Sequence, residues 1–136
     1  MRVVVLGGGR VGAAIACDLA GGGEFDVTVV DRSTEALTRL AALPHVSVVQ
    51  ADLADGGVVT HAAEAADVVV GAVPGKIGFA TLRAALAARR PIVDISFFAE
   101  DPFDLDEVAR RQGVAAVVDA GVAPGISNLL LGRLAG

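Results

Sequence analysis

A chain of 136 residues with 54% hydrophobic content has the length of one domain and ample apolar surface for a core, which excludes a disordered polymer. Eleven basic residues against sixteen acidic ones leave a net charge of −5, and the basic ones, ten Arg and Lys76, are scattered; with no basic stripe and no Trp or Tyr to stack on bases, a nucleic-acid binder is excluded. Mean hydropathy is +0.63, yet Gly, Pro, Asp or Arg interrupts every apolar run short of the roughly 18 residues of a membrane helix.

Met1 and Arg2 lead straight into the apolar run Val3 to Leu6, with no charged start, apolar stretch and cleavage site, so a cytoplasmic location is expected. The run reads as a strand. It enters Gly7, Gly8 and Gly9, and after Arg10 and Val11 a further Gly12 opens a helical pattern at Ala13. Gly7, Gly9 and Gly12 stand at the GxGxxG positions: the first makes the turn, the second lets backbone approach a pyrophosphate, the third lets helix and strand pack closely. Gly8 reads as a spare. The pyrophosphate would lie against the free N–H groups and positive dipole end of the helix, and Arg10 and Val11, between the glycines, are counted with them as cofactor contacts. Cys17 has no partner for an internal disulfide and, among Ala16, Leu19 and Ala20, is expected to pack in the core.

Gly21 to Gly23 close this helix in the manner of a left-handed cap. A second β-branched run, Val27 to Val30, ends in Asp31, 19 residues past Gly12 (31 − 12). That matches the spacing of about 20 expected for a carboxylate that bonds an adenosine ribose. Asp31 would accept from the ribose hydroxyls and repel a 2′-phosphate, which favours NAD; Arg32 beside it is able to pair that phosphate, which keeps NADP open. Ser33 caps a helix carrying Leu37, Leu40 and Ala41, and Pro44 ends it. His45 and His61 have no second ligand at metal spacing.

Val46 to Val49 form the third strand, and Asp52 beyond it either touches adenine or its ribose or caps the next helix, Asp55 to Ala66. Val68 to Val70 form the fourth strand, opening into a flexible loop that holds Val73 and Pro74, before a helix from Ile77 to Ala88. Lys76, at the start of that helix, opposes the dipole instead of complementing it; a solvated lysine is the favoured reading, although such conflicts sometimes mark functional sites. The fifth strand, Ile92 to Ile95, carries Asp94 and Ser96 at its end. A helix from Asp104 to Gln112, a sixth strand from Val114 to Val118 ending in Asp119, and a last helix from Ile126 to Leu134 complete the chain. Asp94 and Asp119 read equally well as site residues and as turn acids. Six strands alternating with helices predict an α/β fold, a doubly wound parallel six-stranded sheet of order 3-2-1-4-5-6 with its ligand outside the carboxyl ends of the strands.

The stretches Asp94-Ile-Ser-Phe-Phe, Asp101-Pro-Phe and Asp119-Ala-Gly-Val-Ala-Pro-Gly-Ile-Ser-Asn128 resemble the saccharopine dehydrogenase-like family, which includes lysine 6-dehydrogenase. The resemblance covers the whole chain and is strongest from Pro91 to Asn128. It implies that residues 1–136 are a Rossmann-fold NAD(P)-binding domain, that Gly7, Gly9, Gly12, Asp31 and the Val73-Pro74 loop contact the cofactor, and that Gly121 to Gly125 border the nicotinamide. It also implies an oxidoreductase acting at an amine-bearing carbon of a lysine-derived or similar amino acid, whose substrate domain is absent from this chain, so that the chain alone is inactive. Ala120 departs from the many relatives with Cys there, and no catalytic residue is assigned. An alternative from another class is the regulatory nucleotide-sensing Rossmann domain of potassium-transport systems, which explains the front half equally well and leaves GVAPGISN without an account.

Overall fold

The computed structural model describes residues 1–135. Six strands, β1 (Arg2–Leu6), β2 (Asp26–Asp31), β3 (Val46–Gln50), β4 (Val68–Gly71), β5 (Ile92–Asp94) and β6 (Ala116–Val117), form one sheet of order β3-β2-β1-β4-β5-β6. Every pairing is parallel. The predicted doubly wound Rossmann arrangement is therefore present, with its switch point between β1 and β4.

Both faces of the sheet are covered, which explains why the central strands read as unbroken apolar runs. Side chains alternate across a strand, so Val3, Val5, Val27 and Val29 point to α1 (Arg10–Gly21) and α2 (Thr34–Leu40), where they meet Ala16, Ala20, Leu37 and Leu40. Val4, Leu6, Val30 and Val69 point the other way, to α3 (Gly56–Glu64) and α4 (Gly75–Ala87), and pack with Val59, Ala63, Leu82 and Leu86. Cys17 faces away from the first of these cores and is exposed, contrary to expectation.

Several boundaries shift for local reasons. α4 begins at Gly75, two residues before the predicted start, because Pro74 already has the extended N-cap geometry (φ −58°, ψ 141°). β5 stops at Asp94 and omits Ile95, since the Asp94 carboxylate accepts the Ser96 N–H at 2.6 Å and bends the chain. The helix expected over 104–112 divides into a 3₁₀ turn, Pro102–Leu105, capped by Asp101, and α5 (Asp106–Gln112). β6 is cut to two residues because its neighbour β5 offers only Ile92 and Val93 to pair with. The last helix, α6 (Ile126–Ala135), buries none of its residues; Leu129 is 74% and Leu134 is 85% exposed. No helix among the described residues is long and apolar enough to cross a membrane.

Candidate functional site

At the carboxyl edge, β1 passes into Gly7, whose φ of +108° and contact with the Ala72 carbonyl leave no place for a Cβ. Gly12 is in the first turn of α1, where a Cβ would run into the Gly7 carbonyl oxygen, so the helix rests directly on the turn that precedes it. Gly9 differs from both. It is the N-cap of α1 in ordinary extended geometry (φ −66°, ψ −170°), and a Cβ there would meet nothing within 4 Å. No side chain caps α1 and no acid occupies its first turn. Its free N–H groups and positive dipole end therefore face open space beside a residue without a side chain, a niche that fits a pyrophosphate.

Asp31 ends β2 next to this niche. Its Oδ2 accepts the Gly8 N–H at 2.6 Å and its Oδ1 accepts the Ser33 N–H at 2.7 Å. One carboxylate thus ties the glycine-rich turn to β2 and to the start of α2, while each oxygen keeps a further lone pair for a ribose hydroxyl. Gly8 is accordingly no spare: its N–H supplies one of these bonds, and a Cβ on it would press at 3.3–3.4 Å on Val29, Asp31 and Leu40.

A cleft of about 650 Å³ collects these groups. Gly7, Gly9, Arg10, Val11, Gly12 and Asp31 form its wall over β1 and β2, with Arg32 and Asp52 at the far end. Val73 and Pro74 line the opposite wall with Lys76, Ile77, Ser96 and Phe97. Gly121 is not brought into it; it forms a bridge with Gly125 in the turn before α6. Asp52 does not cap α3, since Asp55 does so through Gly57 N–H, and its own carboxylate accepts the Ala54 N–H at 3.0 Å. A larger groove of about 780 Å³ lies beside α3, lined by Val4, Val30, Val49 and Val58. Its walls are mostly aliphatic and it lies away from the glycine-rich turn, so the smaller cleft is the one with dinucleotide chemistry. Phe97, just past the expected strand end, is a lining residue that the sequence reading did not single out.

Under the β4–β5 side lies Asp94, fully buried. Burial pushes its carboxyl above the usual carboxylate range; Ser96 works against that shift and the charge of Asp119 adds to it. A raised folded-state pKa stabilises the fold below the ordinary value and loses that contribution as pH rises through the shifted one. Asp94→Asn, which keeps the shape without the charge, is expected to flatten this decline in stability with pH. Chemical denaturation of both chains across the mildly acidic to neutral range checks it, and parallel profiles would refute it.

A switch-point cleft with a glycine turn at a helix N-terminus, and an acid closing the next strand, defines the class: a dinucleotide-binding domain of the Rossmann type. The family model described as saccharopine dehydrogenase NADP binding domain matches residues 3–117, and the chain belongs to that family. It is 25% identical over 128 residues to a saccharopine dehydrogenase [NADP(+), L-glutamate-forming] of Pyricularia oryzae, covering 93% of this chain and 28% of that protein. Among solved structures, apo saccharopine dehydrogenase (L-Glu forming) from Saccharomyces cerevisiae superposes with a TM-score of 0.87 at 22% identity, covering 98% of this chain and 30% of that one. The TrkA-N domain of the inner membrane protein YbaL from Escherichia coli gives 0.68 at 20% identity, covering 98% and 96%. The chain thus spans under a third of the saccharopine dehydrogenases that it matches, and the likeness to the TrkA-N domain is one of fold.

Proposed function

We propose that this chain binds the dinucleotide of an amino-acid oxidoreductase, with NAD preferred over NADP, and that a further α/β domain holds the substrate. The observation that carries the reading is the open N-terminus of α1 at Gly9, one strand away from the Asp31 carboxylate, in a chain of this family. The preference for NAD rests on the negative charge of Asp31, which disfavours a 2′-phosphate; Arg32 is the residue that admits NADP. The solvent-facing leucines of α6 support an additional domain, because a helix that is apolar on several faces is normally covered.

Titration with NAD, NADH, NADP, ATP and AMP, followed by thermal stability, tests the binding. A dinucleotide at a hundred times its dissociation constant should add about 2.7 kcal/mol. A response to ATP or AMP alone would favour the nucleotide-sensor reading instead. Turnover by residues 1–136 alone is expected to be nil with lysine, saccharopine or related amino acids: hydride transfer needs the substrate carbon held roughly 3–3.5 Å from the nicotinamide, which is the task of the proposed substrate domain. Steady NADH formation by the chain alone would sink that expectation.

A further inference from the structure

The peptide group that joins Arg32 to Ser33 is held from both sides. Its N–H donates to the Asp31 Oδ1 at 2.7 Å, and its carbonyl, that of Arg32, accepts the side-chain Nε2 of Gln50 at 3.3 Å. The same Nε2 donates to the Thr34 Oγ1 at 2.9 Å, at the start of α2. A carbonyl only accepts, so the Gln50 amide has to turn its NH₂ toward the loop, and both of its N–H bonds are used there. Gln50 reaches this place because it is the last residue of β3 and stands opposite Asp31 in the parallel register, where the Ala51 N–H also donates to the Asp31 carbonyl at 3.1 Å. Gln50 is exposed and adds little to the core; what it does is fasten the loop.

The loop carries the residue that would meet a 2′-phosphate. Arg32 lines the far end of the cleft and takes part in no ion pair among the described residues. An arginine recognises phosphate through a rigid planar fork, so its affinity for one depends on where the backbone aims it. Holding the carbonyl of a residue restrains its ψ angle, and with it the course of the chain from Arg32 into α2. Asp31 holds the same peptide group but brings a negative charge, which opposes a 2′-phosphate; Gln50 holds it without charge. The two residues share one structural task and differ in electrostatics.

We infer that Gln50 is a positioning residue for cofactor choice: by fastening the Arg32 carbonyl and Thr34 it aims the Arg32 guanidinium at the 2′ position of the adenosine ribose, and so sustains the NADP affinity of the site. The inference rests on the dinucleotide reading above. Calorimetric titration of NAD and NADP on wild type, Gln50→Met, Arg32→Ala and the double variant tests it, Met keeping the length of the side chain without its donors. Gln50→Met is expected to weaken NADP about threefold to tenfold, in line with the loss of a typical hydrogen bond, and to change NAD by less than about twofold. The NADP-to-NAD affinity ratio then falls, opposite to the rise expected when the charge of Asp31 is removed. In the Arg32→Ala background Gln50→Met should leave NADP unchanged, because the group it aims is gone. A merely structural role would weaken both cofactors alike and persist in that background. Equal losses of NAD and NADP, no loss of either, or an undiminished loss without Arg32 overturns the inference, as does wild type that binds NAD but gives no saturable NADP binding. Wild type that binds neither dinucleotide removes the functional reading and the inference with it, so the two failures are told apart.

Discussion

Gly9→Val is expected to leave the chain folded and to abolish dinucleotide binding, whereas Gly12→Val, three residues on, is expected to prevent folding. The two glycines share one motif and differ in what surrounds them. A side chain at Gly9 enters space empty to 4 Å and sits on ordinary extended backbone. Its cost to the fold is that of a poor N-cap, about 1 kcal/mol. The same side chain occupies the approach of a pyrophosphate, so affinity should fall at least about a hundredfold, or about 2.8 kcal/mol. At Gly12 a Cβ collides with the backbone oxygen of Gly7, which has no flexible end to give way. Overpacking a core costs typically 1–3 kcal/mol, and a collision with fixed backbone should reach or exceed that upper end. Circular dichroism melting separates the two outcomes, with titration of the folded variant alongside. A folded Gly9→Val chain that binds as wild type would remove pyrophosphate from the niche.

Asp31→Ala is expected to weaken NAD and NADP together and, at the same time, to raise the NADP-to-NAD affinity ratio. The first effect follows from the bonds at 2.6 and 2.7 Å that fasten Gly8 and Ser33. Hydrogen bonds to a charged group contribute about 1.5–3 kcal/mol each; Asp31 is only partly buried, so the lower end applies. Without them the glycine-rich turn loosens and every dinucleotide is affected. The second effect follows from charge: with the carboxylate gone, Arg32 remains to meet a 2′-phosphate unopposed. Isothermal titration of both cofactors on both chains gives the four affinities required. A ratio that stays constant would mean that Asp31 acts only on the turn; loss of NAD affinity alone would mean that it acts only on the ribose.

Much of this was legible in the order of the residues. β-Branched runs closed by Gly, Asp or Pro, and alternating with helical spacing, specify a parallel sheet covered on both faces, and chain connectivity with right-handed crossovers then leaves the order 3-2-1-4-5-6. The spacing from Gly12 to Asp31 is a local quantity, because one helix and one return loop span it. Ser33 as a cap is likewise decided by its immediate neighbours, and the structure has it. The family was also readable, since its motifs from Pro91 to Asn128 are contiguous.

What only the tertiary structure decided depends on groups distant along the chain. Whether Gly8 is idle turns on the register of β1 against β2, which brings its N–H to Asp31 across 23 positions. The motif spacing gives Gly9 and Gly12 different tasks, but only the fold shows that Gly9 stands in open space and that the group pressed on Gly12 is the Gly7 carbonyl. Cys17 looks like core in sequence; its place on the helix turns it outward. Lys76 and Ser96, twenty residues apart, share a wall only because β4 and β5 are neighbours. Local propensity is set by residues within a turn or two of one another, while a binding site is assembled from strand ends that the sheet alone brings together.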